Sequence, residues 1–276
     1  MRLQSGLIEI ERGVRAAAIA RPLAGIAAAT ALGTAAGLVA DAMFGAARGM
    51  GQALASGSIH GGLLASGWLI ALAGRRGWRG PAIRGAAALV LAAMTARAFS
   101  FGALAYLLMP LVLAHDADRW RWPLERVGWR PPSPQRAIVL GAAAGAFLGL
   151  HLLVAASLTL GYTIAAPDPG AYIAVLAYDI GASALTAEWL FRGAIFSTLW
   201  WRWSFWPAAA ASTGCALARY LLDPALPHAI EAMAGAAFYL TILGFTCCAL
   251  RAWSGSLLPG YIATVVFFAA YRMLLV

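Results

Sequence analysis

Apolar residues occupy most of this chain in long runs, and short polar segments separate one run from the next. A helix needs about 20 apolar residues to cross the hydrocarbon core of a bilayer, and most of the runs approach or exceed that length. They cover 22–43, 50–73, 85–113, 137–160, 171–200, 206–222, 232–250 and 256–275. The pattern predicts an all-α fold, a polytopic transmembrane bundle of about eight hydrophobic segments, in a single membrane domain, 1–276.

The composition excludes a soluble domain of this size. Of the 276 residues, 62% are hydrophobic and 11% are charged, and the mean hydropathy is +0.77. The formal net charge is +9, and every basic residue is arginine. Most of these arginines lie outside the apolar runs, in short loops between them, so they indicate membrane topology and contacts with lipid headgroups rather than nucleic-acid binding. We expect an integral membrane protein, located in a bacterial inner membrane.

One loop is longer than a turn, and it separates the N-terminal helices, 1–114, from the C-terminal part, 137–276. Within this loop, 115–136, arginine alternates with tryptophan, as is typical of a segment at the headgroup level, and we assign the loop to the cytoplasm. A single crossing at 85–113 then puts four arginines outside, against the positive-inside rule. A break at Arg97 that returns the chain to the same side removes this conflict, and both alternatives stay open.

A carboxylate and a guanidinium interrupt the fifth apolar run, at Glu188 and Arg192. On a helix these residues are one turn apart on the same face, so their side chains can form an ion pair. Each charge alone would cost roughly 2.5 to 3.5 kcal/mol at the centre of a membrane. We therefore expect both side chains to face protein or a wet cavity, as a functional site or as the remains of one.

Four stretches of residues 124–276 resemble the CPBP family, which comprises the CAAX proteases and the bacteriocin-processing intramembrane proteases. The phrase Val127-Gly128-Trp129-Arg130 is similar to the Leu-Gly-Leu-Arg phrase that precedes the family's core. The strongest stretch, Glu188-Trp189-Leu190-Phe191-Arg192-Gly193, resembles the first motif, two adjacent glutamates followed after three residues by Arg-Gly. The other two stretches are Cys215-Ala216-Leu217-Ala218-Arg219 and Gly255-Ser256-Leu257-Leu258-Pro259 with the residues up to Phe268. The resemblance implies a CPBP-like core in the C-terminal half.

The same resemblance implies that the catalytic groups are missing. In the family, the first glutamate of the pair and two histidines activate water, and an asparagine helps to hold the oxyanion. The corresponding positions here are Ala187 for the glutamate, Arg219 and Thr264 for the histidines and Phe268 for the asparagine. A guanidinium stays protonated and cannot act as a base, and a phenyl ring donates no hydrogen bond. We therefore expect no catalytic residues in this degenerate site.

Two expectations follow for the charged groups that remain. Arg219 is expected to join Glu188 and Arg192 in an ionic triad that leaves one net positive charge in the old cavity. Asp179 lies nine residues before Glu188 on a different helix face, so it is a poor replacement for the missing glutamate.

Glycines at four-residue spacing mark helix faces that allow close approach of another helix. They are Gly33 and Gly37, and Gly141, Gly145 and Gly149. One interpretation is packing within the bundle, and the other is docking of other integral membrane subunits.

We predict no metal site and no cofactor. His151, in the middle of an apolar run, is the single weak candidate for an axial ligand to a haem or chlorophyll, although a histidine that packs between helices gives the same pattern. The three cysteines lack metal-ligand spacing.

The function that fits best is a catalytically inactive, CPBP-fold integral membrane protein. It would be a scaffold, an assembly factor or an accessory subunit of a larger membrane complex. The alternative is an intramembrane glutamic-type peptidase whose variant active site uses Glu188. A second alternative is a membrane subunit that carries a lipid, a quinone or a pigment.

Overall fold

The computed structural model describes residues 2–43, 49–72, 77–119, 128, 133–165, 168–221 and 230–275. The described residues are almost entirely helical, as the apolar runs predict. The helices are α1 Arg2–Met43, α2 Met50–Ala71, α3 Arg79–Ala98, α4 Met109–Arg119, α5 Pro134–Leu160, α6 Pro169–Trp200, α7 Phe205–Leu221, α8 Ile230–Ser254 and α9 Leu258–Tyr271. Two short strands, β1 Thr163–Ile164 and β2 Leu274–Leu275, pair antiparallel. The all-α prediction is confirmed.

Four helices are long and apolar enough to cross a membrane: Ile19–Met43 of α1, Pro134–Thr159 of α5, Pro169–Trp200 of α6 and Ala234–Ser254 of α8. Two shorter apolar helical segments, Gly102–Ala117 and Leu258–Tyr271, accompany them. Helix occurs within each of the eight predicted runs, but eight membrane crossings stay a prediction.

The predicted run 85–113 is broken. Helix α3 ends at Ala98, and Phe99 is extended, with φ of −132° and ψ of 144°. A 3₁₀ helix, Gly102–Leu108, then leads into α4. The helix therefore breaks near Arg97, as the second alternative requires. Whether the chain returns to the same side of the membrane stays a prediction.

The predicted loop 115–136 is shorter than expected. Helix α4 continues to Arg119 and α5 already begins at Pro134, which suits a first helical turn because proline lacks the N–H that is unpaired there. Residues 120–127 and 129–132, which carry most of the Arg-Trp alternation, lie outside the described residues.

The chain divides into two compact units, Met1–Ala105 and Tyr106–Val276. The boundary precedes the predicted one at residue 114, and a single membrane domain for 1–276 stays a prediction. In the first unit, α2 packs against both α1 and α3. In the second unit, α5 packs along α9, and α8 and α6 pack against the same group of helices. Its core includes Leu148, Leu152, Tyr239, Leu243, Phe267 and Phe268.

The glycine faces are used for packing within the chain. A Cβ at Gly141 would lie 3.0 Å from the backbone of Pro259, and one at Gly149 would lie 2.6 Å from the Cβ of Ala270. Gly145, between them on α5, lies as close to Ala263 of α9. The prediction that this face docks another subunit therefore finds no open surface, because α9 already occupies it.

The glycines of α1 are also occupied from within the chain. A Cβ at Gly33 would meet Ser58, and a Cβ at Gly37 would lie 2.8 Å from the backbone nitrogen of Ala55. Both contacts are with α2. For all five glycines, internal packing is the interpretation that the structure supports, since small residues let helix backbones approach each other.

Candidate functional site

Two stretches of α6 are π-helical, and each begins at a buried carboxylate. The first is Asp179–Ala184 and the second is Glu188–Phe196. A π turn closes a hydrogen bond over five residues instead of four, and such turns occur frequently at functional sites. No local pattern predicts these stretches, since residue propensities do not distinguish a π turn from an α turn.

Hydroxyl groups bind backbone carbonyls of the second π stretch. The Ser212 hydroxyl on α7 donates to the carbonyl of Phe191 at 2.7 Å, and the Ser197 hydroxyl donates to the carbonyl of Arg192 at 3.1 Å. Both serine side chains are buried. These hydroxyls satisfy backbone carbonyls of the π turns in a place where a bilayer interior offers no water. They therefore stabilise the backbone that carries Glu188 and Arg192.

Glu188 and Arg192 form the ion pair that their spacing predicts. The Arg192 Nη1 lies 3.4 Å from the Glu188 Oε1, and the two residues are only 4% and 3% exposed. The Thr264 hydroxyl on α9 donates a second hydrogen bond to the same oxygen at 3.1 Å. Both charges therefore face protein, as expected for charged groups inside a membrane.

Two glycines make room for this pair. A Cβ at Gly260 of α9 would lie 3.0 Å from the Glu188 Oε2, and a Cβ at Gly244 of α8 would lie 2.9 Å from the Arg192 Nη2. The Cβ at Gly244 would also approach the Thr213 side chain to 2.5 Å. Side chains at these two positions would displace the carboxylate or the guanidinium, so the ion pair depends on both glycines.

A cavity of about 240 Å³ opens beside Glu188. Its walls come from α4, α6, α9 and the turn before α9, and they are Pro110, Leu185, Glu188, Trp189, Leu257, Leu258 and Tyr261. Among these described lining residues, Glu188 alone carries a charge. Its Oε2 has no hydrogen-bond partner within the part of the chain that the structure describes. The cavity is therefore an apolar space with one buried carboxylate in its wall.

Two of the other motif positions lie around Tyr220 of α7. The Arg219 guanidinium carbon lies 4.6 Å from the centre of the Tyr220 ring, and the Phe268 ring contacts the same tyrosine edge to face at 6.0 Å. The Glu188–Arg192 contact of the predicted triad is thus present. The Arg219 cation lies over an aromatic face, a favourable arrangement for guanidinium, and its place in the triad stays a prediction.

The position of the missing glutamate, Ala187, is 2% exposed and contributes only a methyl group. Peptide hydrolysis needs a base that acts on water and donors that stabilise an oxyanion. Next to Glu188 the structure places a guanidinium and a threonine hydroxyl, and both already contact the carboxylate. No group of three or more metal-ligating side chains occurs among the described residues.

The buried Asp179 has its own partner. The Arg272 guanidinium, just after α9, donates from Nε and Nη2 to the two carboxylate oxygens, each at 3.0 Å. No local pattern predicts this pair, because 93 residues separate its members. The bidentate contact agrees with the expectation that Asp179 does not replace the missing glutamate at Ala187.

Two of the resembling stretches come together in the second unit. The N–H of Leu257 donates to the carbonyl of Gly128 at 2.6 Å. Gly128 has a positive φ of 74°, and a Cβ there would lie 2.5 Å from the Arg251 guanidinium carbon. Only glycine fits this turn without strain. The loop phrase and the Gly-Ser-Leu run are therefore neighbours.

His151 is bound between helices. Its Nδ1 lies 2.7 Å from the hydroxyl of Tyr239 on α8, and this hydroxyl also donates to the His151 carbonyl at 3.4 Å. The contact joins α5 to α8. It matches the interpretation of His151 as a packing histidine, and the axial-ligand interpretation stays a prediction.

Comparison of the chain with protein-family models, with curated proteins and with solved structures gave no match.

Proposed function

We propose that this chain is a catalytically inactive integral membrane protein with a CPBP-like core that serves as a scaffold, an assembly factor or an accessory subunit of a larger membrane complex. The observation that carries the proposal is the environment of Glu188. Its carboxylate is bound by Arg192 and Thr264, where the resembling proteases would need groups that activate water. Arg192 keeps its charge, and the Thr264 hydroxyl already donates to the carboxylate. These contacts hold Glu188 in place and do not supply a general acid or base for hydrolysis.

The CPBP-like core itself belongs to this proposal. Its support is that separate stretches of the sequence, chosen for their resemblance, are neighbours in space. Glu188 contacts Thr264, Phe268 shares Tyr220 with Arg219, and Gly128 binds Leu257. Such convergence is expected for motif positions that once formed one site.

The proposed location is the bacterial inner membrane, with the segment around 115–136 in the cytoplasm. The four helices that are long and apolar enough to cross a membrane support an integral membrane protein. The cytoplasmic side rests on the excess of arginine in that segment.

Gentle detergent extraction of the native protein tests the subunit role. The extract is separated by size, and everything that migrates with the chain is identified and quantified by mass spectrometry. We expect migration with a larger assembly at fixed stoichiometry, unchanged in a second mild detergent. A particle that contains only this chain and lipid would contradict the role. An unrelated membrane protein of similar mass, tagged in the same way, is the control for adventitious association.

The competing interpretation is a peptidase that uses Glu188, and a conservative variant separates the two. Glu188→Gln keeps the size and polarity of the side chain but cannot accept a proton at neutral pH. We expect membranes that contain the wild-type chain and membranes that contain Glu188→Gln to yield the same peptides in a quantitative peptide profile. Peptides that appear with the wild type and vanish with the variant would identify an active enzyme.

A further inference from the structure

An open cavity of about 470 Å³ lies in the first unit, far along the chain from Glu188. Helix α1 forms one wall, and the start of α3 forms the other. The lining residues are Arg21, Pro22, Gly25, Ile26, Ala29, Trp78 and Arg79. The function proposed above makes no use of this cavity.

The cavity changes from charged to apolar along α1. Arg21, Gly25 and Ala29 are one turn apart on one helix face, and a rise of 1.5 Å per residue puts about 12 Å between the first and the last. Arg21 lies near the beginning of the candidate membrane span Ile19–Met43, and Ala29 lies deeper in it. The cavity therefore follows the direction of a lipid, from the headgroup level towards the hydrocarbon core.

The charged end is strongly positive. Arg21 and Arg79 both line it, and none of the described residues lining it is acidic. Both arginine side chains are exposed. A guanidinium presents a planar set of donors that matches the oxygens of a phosphate group, so two of them at one cavity favour an anionic headgroup over a neutral one. Trp78 beside them is a residue type enriched at the membrane interface.

The apolar end has unoccupied room. A Cβ built at Gly25 would meet no atom of the described residues within 4 Å. Next to it, Pro22, Ile26 and Ala29 provide apolar walls. An acyl chain fits this environment, whereas a free phosphate ion would leave it unfilled.

We infer that this cavity binds an anionic phospholipid, with its phosphate between Arg21 and Arg79 and one acyl chain along Gly25, Ile26 and Ala29. The arginines supply charge and donors, and the open face at Gly25 supplies room for the chain. Binding at such a place ties α1 to the start of α3 through the lipid.

The experiment uses the full chain, purified in a mild detergent, with native mass spectrometry as the readout. Phosphatidylglycerol is titrated in, with phosphatidylcholine as the neutral-headgroup comparison and inorganic phosphate as the competitor. We expect phosphatidylglycerol to bind at one saturable site, and the double variant Arg21→Gln, Arg79→Gln to bind it at least about tenfold more weakly, since each charge-assisted contact contributes that order of affinity. Arg136→Gln removes an exposed arginine from the first turn of α5 and should leave the affinity unchanged.

A second variant tests the acyl-chain path without changing charge. Gly25→Leu fills the open face, and leucine is a better helix former than glycine, so the helix is retained. We expect it to weaken phosphatidylglycerol binding, whereas Gly235→Leu should not. Gly235 is another helical glycine, and no atom of the described part of the chain lies within 4 Å of its Cβ position.

Four results would overturn the inference. The first is equal binding of phosphatidylcholine, and the second is no loss of affinity in the double arginine variant. The third is a Gly25→Leu chain that binds phosphatidylglycerol as the wild type does. Displacement of phosphatidylglycerol by inorganic phosphate at an equal concentration would assign the cavity to a free phosphate instead and would also overturn the lipid assignment. None of these outcomes bears on whether the chain is a subunit of a complex.

Discussion

The Thr264 hydroxyl donates to the carboxylate of Glu188 at 3.1 Å, across 76 residues of sequence. This hydrogen bond joins α9 to the second π stretch of α6. The oxygen that accepts this bond, Oε1 of Glu188, also pairs with Arg192. The side chains of Glu188, Arg192 and Thr264 thus form one buried polar group across two helices. Buried polar groups of this kind stabilise a membrane protein only while every member is present.

Thr264→Val keeps the shape of the side chain and removes the donor. We expect a loss of about 1 to 3 kcal/mol in the free energy of unfolding, because a hydrogen bond to a buried charge is lost. Thermal unfolding in detergent, followed by helical circular dichroism, measures this. Thr241→Val is the matched control, since the Thr241 hydroxyl donates only to the Ala237 carbonyl one turn earlier on the same helix. An equal loss of stability in both variants would contradict a specific contribution of the hydrogen bond to Glu188.

Glu188 and Arg192 should show strong coupling in a double-mutant cycle. Removing either charge alone, by Glu188→Leu or by Arg192→Leu, leaves the other buried without its counter-charge, at a cost of about 3 to 5 kcal/mol. The double variant is expected to be more stable than either single variant. Unfolding free energies of all four proteins provide the coupling energy, and additive effects would contradict a mutually dependent pair.

Gly244→Ala should destabilise the protein, although alanine normally favours a helix. The new Cβ would approach Thr213 to 2.5 Å and the Arg192 guanidinium to 2.9 Å, and overpacking of this kind costs about 1 to 3 kcal/mol. Gly214→Ala on α7 is the control, because a Cβ there meets no atom within 4 Å in the segments that the structure describes. There we expect a neutral effect or a gain of up to about 1 kcal/mol from helix propensity. A gain at both positions would contradict the close packing around Arg192.

The stability of the protein should depend in steps on how well residue 272 binds the buried carboxylate of Asp179. Arg272→Met leaves a fully buried carboxylate without its partner and is expected to cost about 3 to 5 kcal/mol. Arg272→Lys restores the charge but not the bidentate geometry, so its loss should be intermediate. Asp179→Asn, Arg272→Met removes both charges and should recover part of the stability. Unfolding midpoints of the three variants test this order, and a lysine variant as unstable as the methionine variant would contradict it.

The helices themselves could be predicted from the apolar runs, because each run must bury or shield its backbone hydrogen bonds inside a membrane. The Glu188–Arg192 pair could be predicted as well, since its members are one helical turn apart and need no tertiary contact to meet. The same local rule failed at 85–113, where the apolar run continues through Phe99 although the helix ends before it. Composition carries no information about such a break.

The candidate site beyond that pair depends on contacts between helices that lie far apart in sequence. The sequence marked Thr264, Arg219 and Phe268 only by resemblance, and the direction of their side chains depends on how the helices pack. Packing turned Thr264 towards Glu188 and Arg219 towards Tyr220, and it gave Asp179 a partner 93 residues away.

The glycine faces show most clearly what each level of structure contributes. The four-residue spacing of Gly141, Gly145 and Gly149 determined that one side of α5 would be flat enough for another backbone. Whether that backbone would come from the same chain or from a partner was decided by the position of α9, which fills the face. A sequence fixes the shape of a helix surface through its side-chain volumes, but only the tertiary arrangement of the helices determines what lies against it.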